Sequence, residues 1–225
     1  MSQNPQLPLN FDFRPSMSGD DFLVSDCNTQ AVQWLDRWPD WPSPFLVIYG
    51  EAGCGKTHLA EVFRQATGAV LLDLADNDPY AQMGQATTGV VDDIDGILAN
   101  HEQALFHLYN FAKENGAQIL ITSKSAPADW QVNLPDLRSR MGTAPAIEIG
   151  QPDDRLMEAV VIKLFSDRQL QIEPDVSAYM LSRMERSFDQ ARTLVAEIDR
   201  QSLSQKRKIT IPLVRSVLQD QSVPA

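Results

Sequence analysis

Residues 50–57 read Gly-Glu-Ala-Gly-Cys-Gly-Lys-Thr, and few segments limit what a chain can fold into so strongly. Glycine, four intervening residues, then Gly-Lys-Thr is the spacing of a loop that wraps a phosphate group. Glycines let the backbone curl until successive N–H groups face one point, and a helix starting at the loop's end adds its positive pole. Lys56 brings a point charge for the β and γ phosphates, and the Thr57 hydroxyl is a ligand for Mg2+. Such a loop must sit between a buried strand and a helix. Both are present: Phe45-Leu46-Val47-Ile48-Tyr49 precedes it, and an amphipathic pattern over 57–67 follows. Gly50, Gly53, Cys54, Gly55, Lys56, Thr57 and His58 are therefore the candidate contacts to ATP or ADP.

The strand before the loop is the first of a series. Apolar runs over 69–74, 90–93, 118–122 and 146–149 follow it, separated by helical patterns. Near-continuous apolar character implies burial on both faces, as in a parallel sheet covered by helices on either side. A doubly wound α/β domain with a five-stranded parallel sheet is expected. After Gln151-Pro152 the strands stop and four helical segments follow, opening near Asp153-Asp154, Pro174, Ser187 and Thr210. Acidic N-caps, a proline in a first turn and a Ser-x-x-Gln capping box mark these starts. Three segments result: an extended tail over 1–19, an α/β domain over 20–152 and a small all-α domain over 153–225.

Val90-Val91-Asp92-Asp93 ends a buried strand in two carboxylates, the Walker B arrangement that holds Mg2+, with Asp92 the candidate ligand. Asp93 stands where many such ATPases place a water-polarising Glu, and its shorter reach predicts slow hydrolysis. Thr122 and Ser123 follow the fourth apolar run, where strand ends face the ligand crevice. Their hydroxyls either contact the γ-phosphate or cap the next turn. Arg138 and Arg140 precede the fifth strand, as surface residues or as an arginine finger completing a neighbour's site.

A net charge of −11 argues against strong attachment to a polyanion. The densest basic run, Lys206-Arg207-Lys208, reads as a solvated helix end more readily than as a nucleic-acid contact. Two cysteines, Cys27 and Cys54, fit a reducing compartment without disulfides. No apolar run is long enough to span a bilayer, and residues 1–10 are polar, so no membrane partner and no leader are expected. Leu7, Leu9, Phe11 and Phe13 alternate among the prolines of the tail, which would put them on one side of an extended segment. That side packs on its own domain or docks in a partner's groove.

Taken together, these residues resemble the AAA+ domain of the bacterial initiator DnaA and, more closely, its regulatory homologues of the Hda type. The resemblance covers nearly the whole chain and rests on Asp20-Asp21-Phe22-Leu23-Val24-Ser25, the segments 45–59, 90–94 and 119–123, Leu134-Pro135-Asp136-Leu137-Arg138-Ser139-Arg140, and the stretch from Ile198-Asp199-Arg200 to Ile211-Pro212. It implies that Arg140 is an arginine finger acting in trans, with Arg138 secondary, and that 153–225 is a lid. Gln6-Leu7-Pro8-Leu9-Asn10-Phe11 is similar to the Gln-Leu-x-Leu-x-Phe peptide that docks on the sliding clamp, with Gln6, Leu7, Leu9 and Phe11 as contacts. The implied protein is bacterial and cytoplasmic, with the polymerase III beta subunit and DnaA as partners. It would stimulate hydrolysis of DnaA-bound ATP and prevent re-initiation. Because the chain stops shortly after its last helix, no sequence-specific DNA-binding domain is expected. Homo-oligomer formation stays open, as do two other readings: a loader that hydrolyses its own ATP, and a clamp-tethered scaffold with structural nucleotide. Two positions depart from the family pattern. The turn that usually carries a phosphate-sensing Arg holds Asp189, with Arg192 one turn later as the alternative contact, and Lys124 stands where an Asp is common.

Overall fold

The computed structural model describes residues 23–76, 80–205 and 207–221, and these fall into two compact units that divide between Gln151 and Pro152. The tail with Gln6, Leu7, Leu9 and Phe11 lies outside the described residues, as do Asp20, Asp21, Phe22 and Lys206.

The α/β unit runs α1 (Thr29–Leu35), β1 (Phe45–Tyr49), α2 (Lys56–Thr67), β2 (Val70–Leu71), β3 (Thr88–Val91), α3 (Leu98–Asn115), β4 (Gln118–Ser123), α4 (Pro135–Met141) and β5 (Ala146–Glu148). Its sheet has the five parallel strands expected, in the order β2-β3-β4-β1-β5. Side chains alternate across it because successive residues of a strand point to opposite faces. Phe45, Val47, Val91, Ile119 and Ile121 meet α3 and α4 through Leu105, Leu108, Ala112, Leu137 and Met141. Leu46, Ile48, Val90, Leu120 and Ile147 meet α1 and α2 through Ala31, Leu35, Leu59, Ala60 and Phe63. β1 is apolar throughout, and the middles of β3 and β4 largely so, because these central strands feed two cores. Phe63 is fully buried and its ring stacks 5.5 Å from that of Trp41. Burying a ring of that size stabilises the fold by about 2–3 kcal/mol.

Three boundaries differ from those expected. The second strand is two residues long, because the backbone N–H and C=O of Asp73 bond the Gln82 side-chain amide at 2.9 and 3.0 Å and leave the ladder. The third starts at Thr88 and ends at Val91, so Asp92 and Asp93 lie just past it. α3 begins at Leu98 and kinks at His101, where φ is −128°, so the regular helix starts where its periodicity does. α4 has seven residues, too few to show a period, although Pro135 and Asp136 are suited to a first turn.

The helical unit contains α5 (Asp154–Ser166), α6 (Pro174–Leu181), α7 (Phe188–Gln205) and α8 (Ile211–Gln221). Phe165, Met180, Leu194, Val195, Ile198, Val214 and Val217 form its interior. Asp153 caps α5, its carboxylate accepting the Leu156 N–H at 2.7 Å. The capping box expected at α7 is only half made. Ser187 Oγ accepts the Gln190 N–H at 3.3 Å, but the Ser187 N–H donates to the Glu185 carbonyl at 2.8 Å. Arg207 and Lys208 are exposed in the connection between α7 and α8. Among the described residues no helix is long and apolar enough to cross a membrane.

Candidate phosphate-binding site

The loop between β1 and α2 takes the curled form its glycines predict. Gly50, Gly53 and Gly55 have φ of 156°, 75° and 103°. Gly50 is the tightest position: a Cβ there would stand 2.4 Å from the Ile149 carbonyl oxygen. Gly55 is the N-cap of α2, so the first N–H groups of that helix open onto the loop. Lys56 is only 9% exposed, and its ammonium donates to the carbonyls of Gly50 and Glu51, both at 2.8 Å. A buried ammonium needs such acceptors, and they hold the charge at the loop's centre. Cys54 Sγ lies 3.9 Å from Lys56 Nζ. Burial pushes the Cys54 thiol above the usual thiol range, and the Lys56 charge opposes this only in part. Neither Cys54 nor Cys27 forms a disulfide.

Strand order brings the remaining residues to the loop. β4 lies between β1 and β3, so the ends of all three strands converge. The Thr57 hydroxyl donates to Asp92 Oδ1 at 3.3 Å, and the Thr122 hydroxyl donates to the same oxygen at 2.5 Å. Thr122 Oγ1 also accepts the Asp93 N–H at 2.8 Å, which fixes the turn after β3. Asp93 has φ of 50°, a left-handed conformation that Asp tolerates better than most residues. Its carboxylate pairs with Lys124 Nζ at 3.6 Å. No cluster of three or more acidic, His or Cys ligands occurs among the described residues. The residues present nonetheless fit Mg2+, which in phosphate loops takes one hydroxyl and one carboxylate and fills its shell with phosphate and water. Thr57 and Asp92 would be those two groups.

Ser123 is placed differently from Thr122. As the next residue along β4 it faces the α3–α4 side of the sheet, fully buried. There its hydroxyl donates to Asp95 at 3.1 Å and accepts the Trp130 indole N–H at 3.0 Å. Of the two hydroxyls considered together from sequence, only Thr122 joins Asp92. Asp95, which also accepts the Lys124 N–H at 2.7 Å, is a supporting residue that carried no signal in the sequence.

The remaining candidates lie on α4, on α7 and in the first turn of α2. Arg140, in the last turn of α4, has its guanidinium 4.3 Å from the Phe106 ring and 5.1 Å from that of Tyr109, and Nη1 donates to Asn110 Oδ1. Arg138 turns its guanidinium back onto the Val132 carbonyl. Arg192 belongs to the helical unit, where it pairs with Asp189 at 2.7 Å. The two residues weighed for the phosphate-sensing position thus engage each other. His58, in the first turn of α2, is half-buried.

Residues 156–218, from α5 into α8, match the family described as "Hda, lid domain". A Haemophilus influenzae protein described only as uncharacterized is 27% identical over 230 residues, covering 96% of this chain and 99% of its own. Domain III of the Thermotoga maritima replication initiation protein DnaA is similar in structure with a TM-score of 0.78, at 18% identity, over 94% of this chain and 99% of that one. AMPPCP-bound DnaA from Aquifex aeolicus has a TM-score of 0.67 at 19% identity, over 84% of this chain and 67% of that one. At such identities these two likenesses are of fold. A helical unit that matches the Hda lid family thus follows an α/β unit that shares its fold with DnaA domain III.

Proposed function

We propose that the chain is a nucleotide-binding regulator of replication initiation that stimulates hydrolysis of ATP on DnaA. In this reading it binds ADP or ATP with Mg2+ at residues 50–58, Thr57 and Asp92, and docks on the sliding clamp through Gln6, Leu7, Leu9 and Phe11. It then offers Arg140 to the phosphates of DnaA-bound nucleotide. The observation that carries this reading is the Asp93–Lys124 pair beside the phosphate loop. A carboxylate needed to polarise water is engaged by an ammonium, so the loop is suited to holding nucleotide more than to consuming it. A finger supplied in trans accelerates hydrolysis roughly 10³- to 10⁵-fold in GTPase systems, which gives a weak ATPase a strong effect on another. DnaA structures with bound AMPPCP support the nucleotide assignment by likeness of fold.

The test is a reconstitution: ATP hydrolysis by the cognate DnaA with DNA-loaded clamp, with wild-type chain, Arg140→Ala, or a variant lacking residues 6–11. Wild type should stimulate, and both variants should fall to the unstimulated rate. If both stimulate like wild type, the proposal fails. Lys124→Ala should raise the chain's own slow hydrolysis about threefold while leaving nucleotide affinity unchanged. Fast hydrolysis by the wild-type chain alone, abolished by Asp93→Asn, would favour the loader reading instead.

A further inference from the structure

The helical unit holds its cations in two settings. Arg168, Arg186, Arg192 and Arg200 each reach a carboxylate, those of Asp199, Asp154, Asp189 and Glu197. Arg183, Arg207, Lys208 and Arg215 are exposed, and among the described residues none of them lies within ion-pair distance of a carboxylate. Arg183 and Arg215 converge on the half-buried ring of Tyr179, with their guanidinium carbons 3.9 and 5.7 Å from its centre. Their polar contacts are to neutral oxygens. Arg183 Nη1 donates to the Ser182 hydroxyl at 2.8 Å and the Tyr179 carbonyl at 3.5 Å, and Arg215 Nε donates to the Tyr179 hydroxyl at 3.1 Å. Neutral acceptors position a guanidinium without cancelling its charge, and the N–H groups left over can fork onto an anion.

Arg215 belongs to the outer stripe of α8. Pro212, Arg215, Ser216 and Gln219 recur at intervals of three and four and are exposed, whereas Val214 and Val217 are buried. Pro212 and Ser216 also line a groove of about 380 Å³ together with Arg207, Lys208 and Thr210. The stripe therefore joins the Tyr179 pair to the basic connection between α7 and α8, and four cations share one continuous surface of a chain whose net charge is −11. Among the described residues α8 exposes no large apolar side chain. A protein partner anchors on buried aromatic or aliphatic groups, whereas phosphate contacts need only cations and polar donors.

We propose that this face of the helical unit binds the phosphate backbone of duplex DNA without reading its sequence, through Arg183 and Arg215 seated on Tyr179 and through Arg207 and Lys208 beside the groove. The proposal goes beyond the finger reading of Arg140 and is independent of it, since neither the phosphate loop nor α4 takes part. The contact is weak, because the rest of an acidic chain repels a polyanion. Where a clamp tethers the chain on DNA, the raised local concentration makes even a weak contact count.

The full-length chain, titrated into fluorescein-labelled duplexes of about 20 base pairs and two unrelated sequences, reads the contact by anisotropy. Four phosphate contacts predict a slope of log K against log salt concentration of about −3.6, and the two duplexes should agree within about twofold. Alanine at Arg183, Arg207, Lys208 or Arg215 should lower affinity about fivefold at about 50 mM salt and make the slope shallower by about one. Arg207 and Lys208 make no side-chain hydrogen bond among the described residues, so their variants test the face without loosening the fold. Tyr179→Phe keeps the ring and removes the Arg215 acceptor, and should cost about twofold. Arg37→Ala combined with Lys113→Ala takes two exposed charges from the α/β unit and should change affinity by less than about twofold. Absence of binding by the wild-type chain overturns the proposal, as do wild-type affinities in the four alanine variants. An equal loss in the Arg37→Ala, Lys113→Ala control also overturns it, as an effect of net charge alone. A preference above about tenfold between the duplexes would mean base readout and overturns it too. Polyglutamate that competes as well as unlabelled duplex at equal charge would reassign the face to an acidic protein segment.

Discussion

At the candidate phosphate loop the backbone itself would be the binding surface, while at Arg140 the backbone only delivers a side chain to a shelf made by other side chains. The loop depends on glycine φ angles of 75° and 103° and on a Cα at Gly50 with no room for a methyl group. The shelf depends on a ring face, an amide and a distant carboxylate, all carried by α3. Backbone geometry is all or nothing, because a Cβ either fits or displaces the chain. Side-chain shelves degrade in steps, since each contact contributes little and neighbours adjust. The two regions should therefore answer substitution differently.

The hardest test of that contrast is Gly50→Ala. A methyl group 2.4 Å from the Ile149 carbonyl oxygen must displace the loop. The expected cost is about 2–4 kcal/mol of stability and at least about 100-fold in nucleotide affinity. Denaturant unfolding and titration with a fluorescent ADP read the two quantities. Wild-type affinity in this variant would break the comparison, since the loop would then tolerate a side chain as the shelf does.

A finer division runs along β4 itself. Thr122→Val keeps the shape but leaves the Asp93 N–H without its acceptor in a residue 1% exposed. About 1–3 kcal/mol of stability should be lost, and Mg2+-dependent nucleotide affinity should fall roughly tenfold. Ser123→Ala removes one of two acceptors of the Trp130 indole N–H, leaving the Ser125 carbonyl at 3.1 Å, and should cost about 1 kcal/mol with affinity unchanged. An equal loss of affinity in both variants would erase the distinction between the two sides of the sheet.

The smallest effect belongs to Glu102. Hydrogen bonds from the Asn133 N–H, then from the Leu134 N–H and the Asn133 amide, hold its carboxyl below its ordinary value of 4.5, against a smaller opposing effect of burial. A lowered carboxyl in the folded state favours the fold fully above that value and loses its contribution as pH falls through the folded one. The Leu134 amide should accordingly lose protection from exchange as the solution is acidified below about pH 4.5. Glu102→Gln should make that protection insensitive to pH, and an acid-sensitive Leu134 amide in this variant would exclude the carboxylate as the cap.

Much of the fold could be read along the chain because its causes are local. Five apolar runs predicted five strands, and caps and prolines marked the helices of the second unit. Asp73 shows where this ended: its backbone left the sheet for Gln82, nine residues away, and no pattern within 69–74 records that partner. α4 escaped for a related reason, being too short for a period and capped from α3. Thr122 and Ser123 make the same point within one strand. Alternation already required them to face opposite ways, but only the position of β4 between β1 and β3 decided which one meets Asp92.

The sequence by itself determined the phosphate loop, because a curl of that kind is set by glycines adjacent in the chain and by the strand and helix that flank them. It also determined that a carboxylate pair would end a buried strand. Only the tertiary structure decided that Asp93 is held by Lys124, thirty-one residues further on, and that Arg140 rests on Phe106 and Asn110. Those contacts join residues far apart in the chain, and their energies depend on which faces the packed elements turn toward each other.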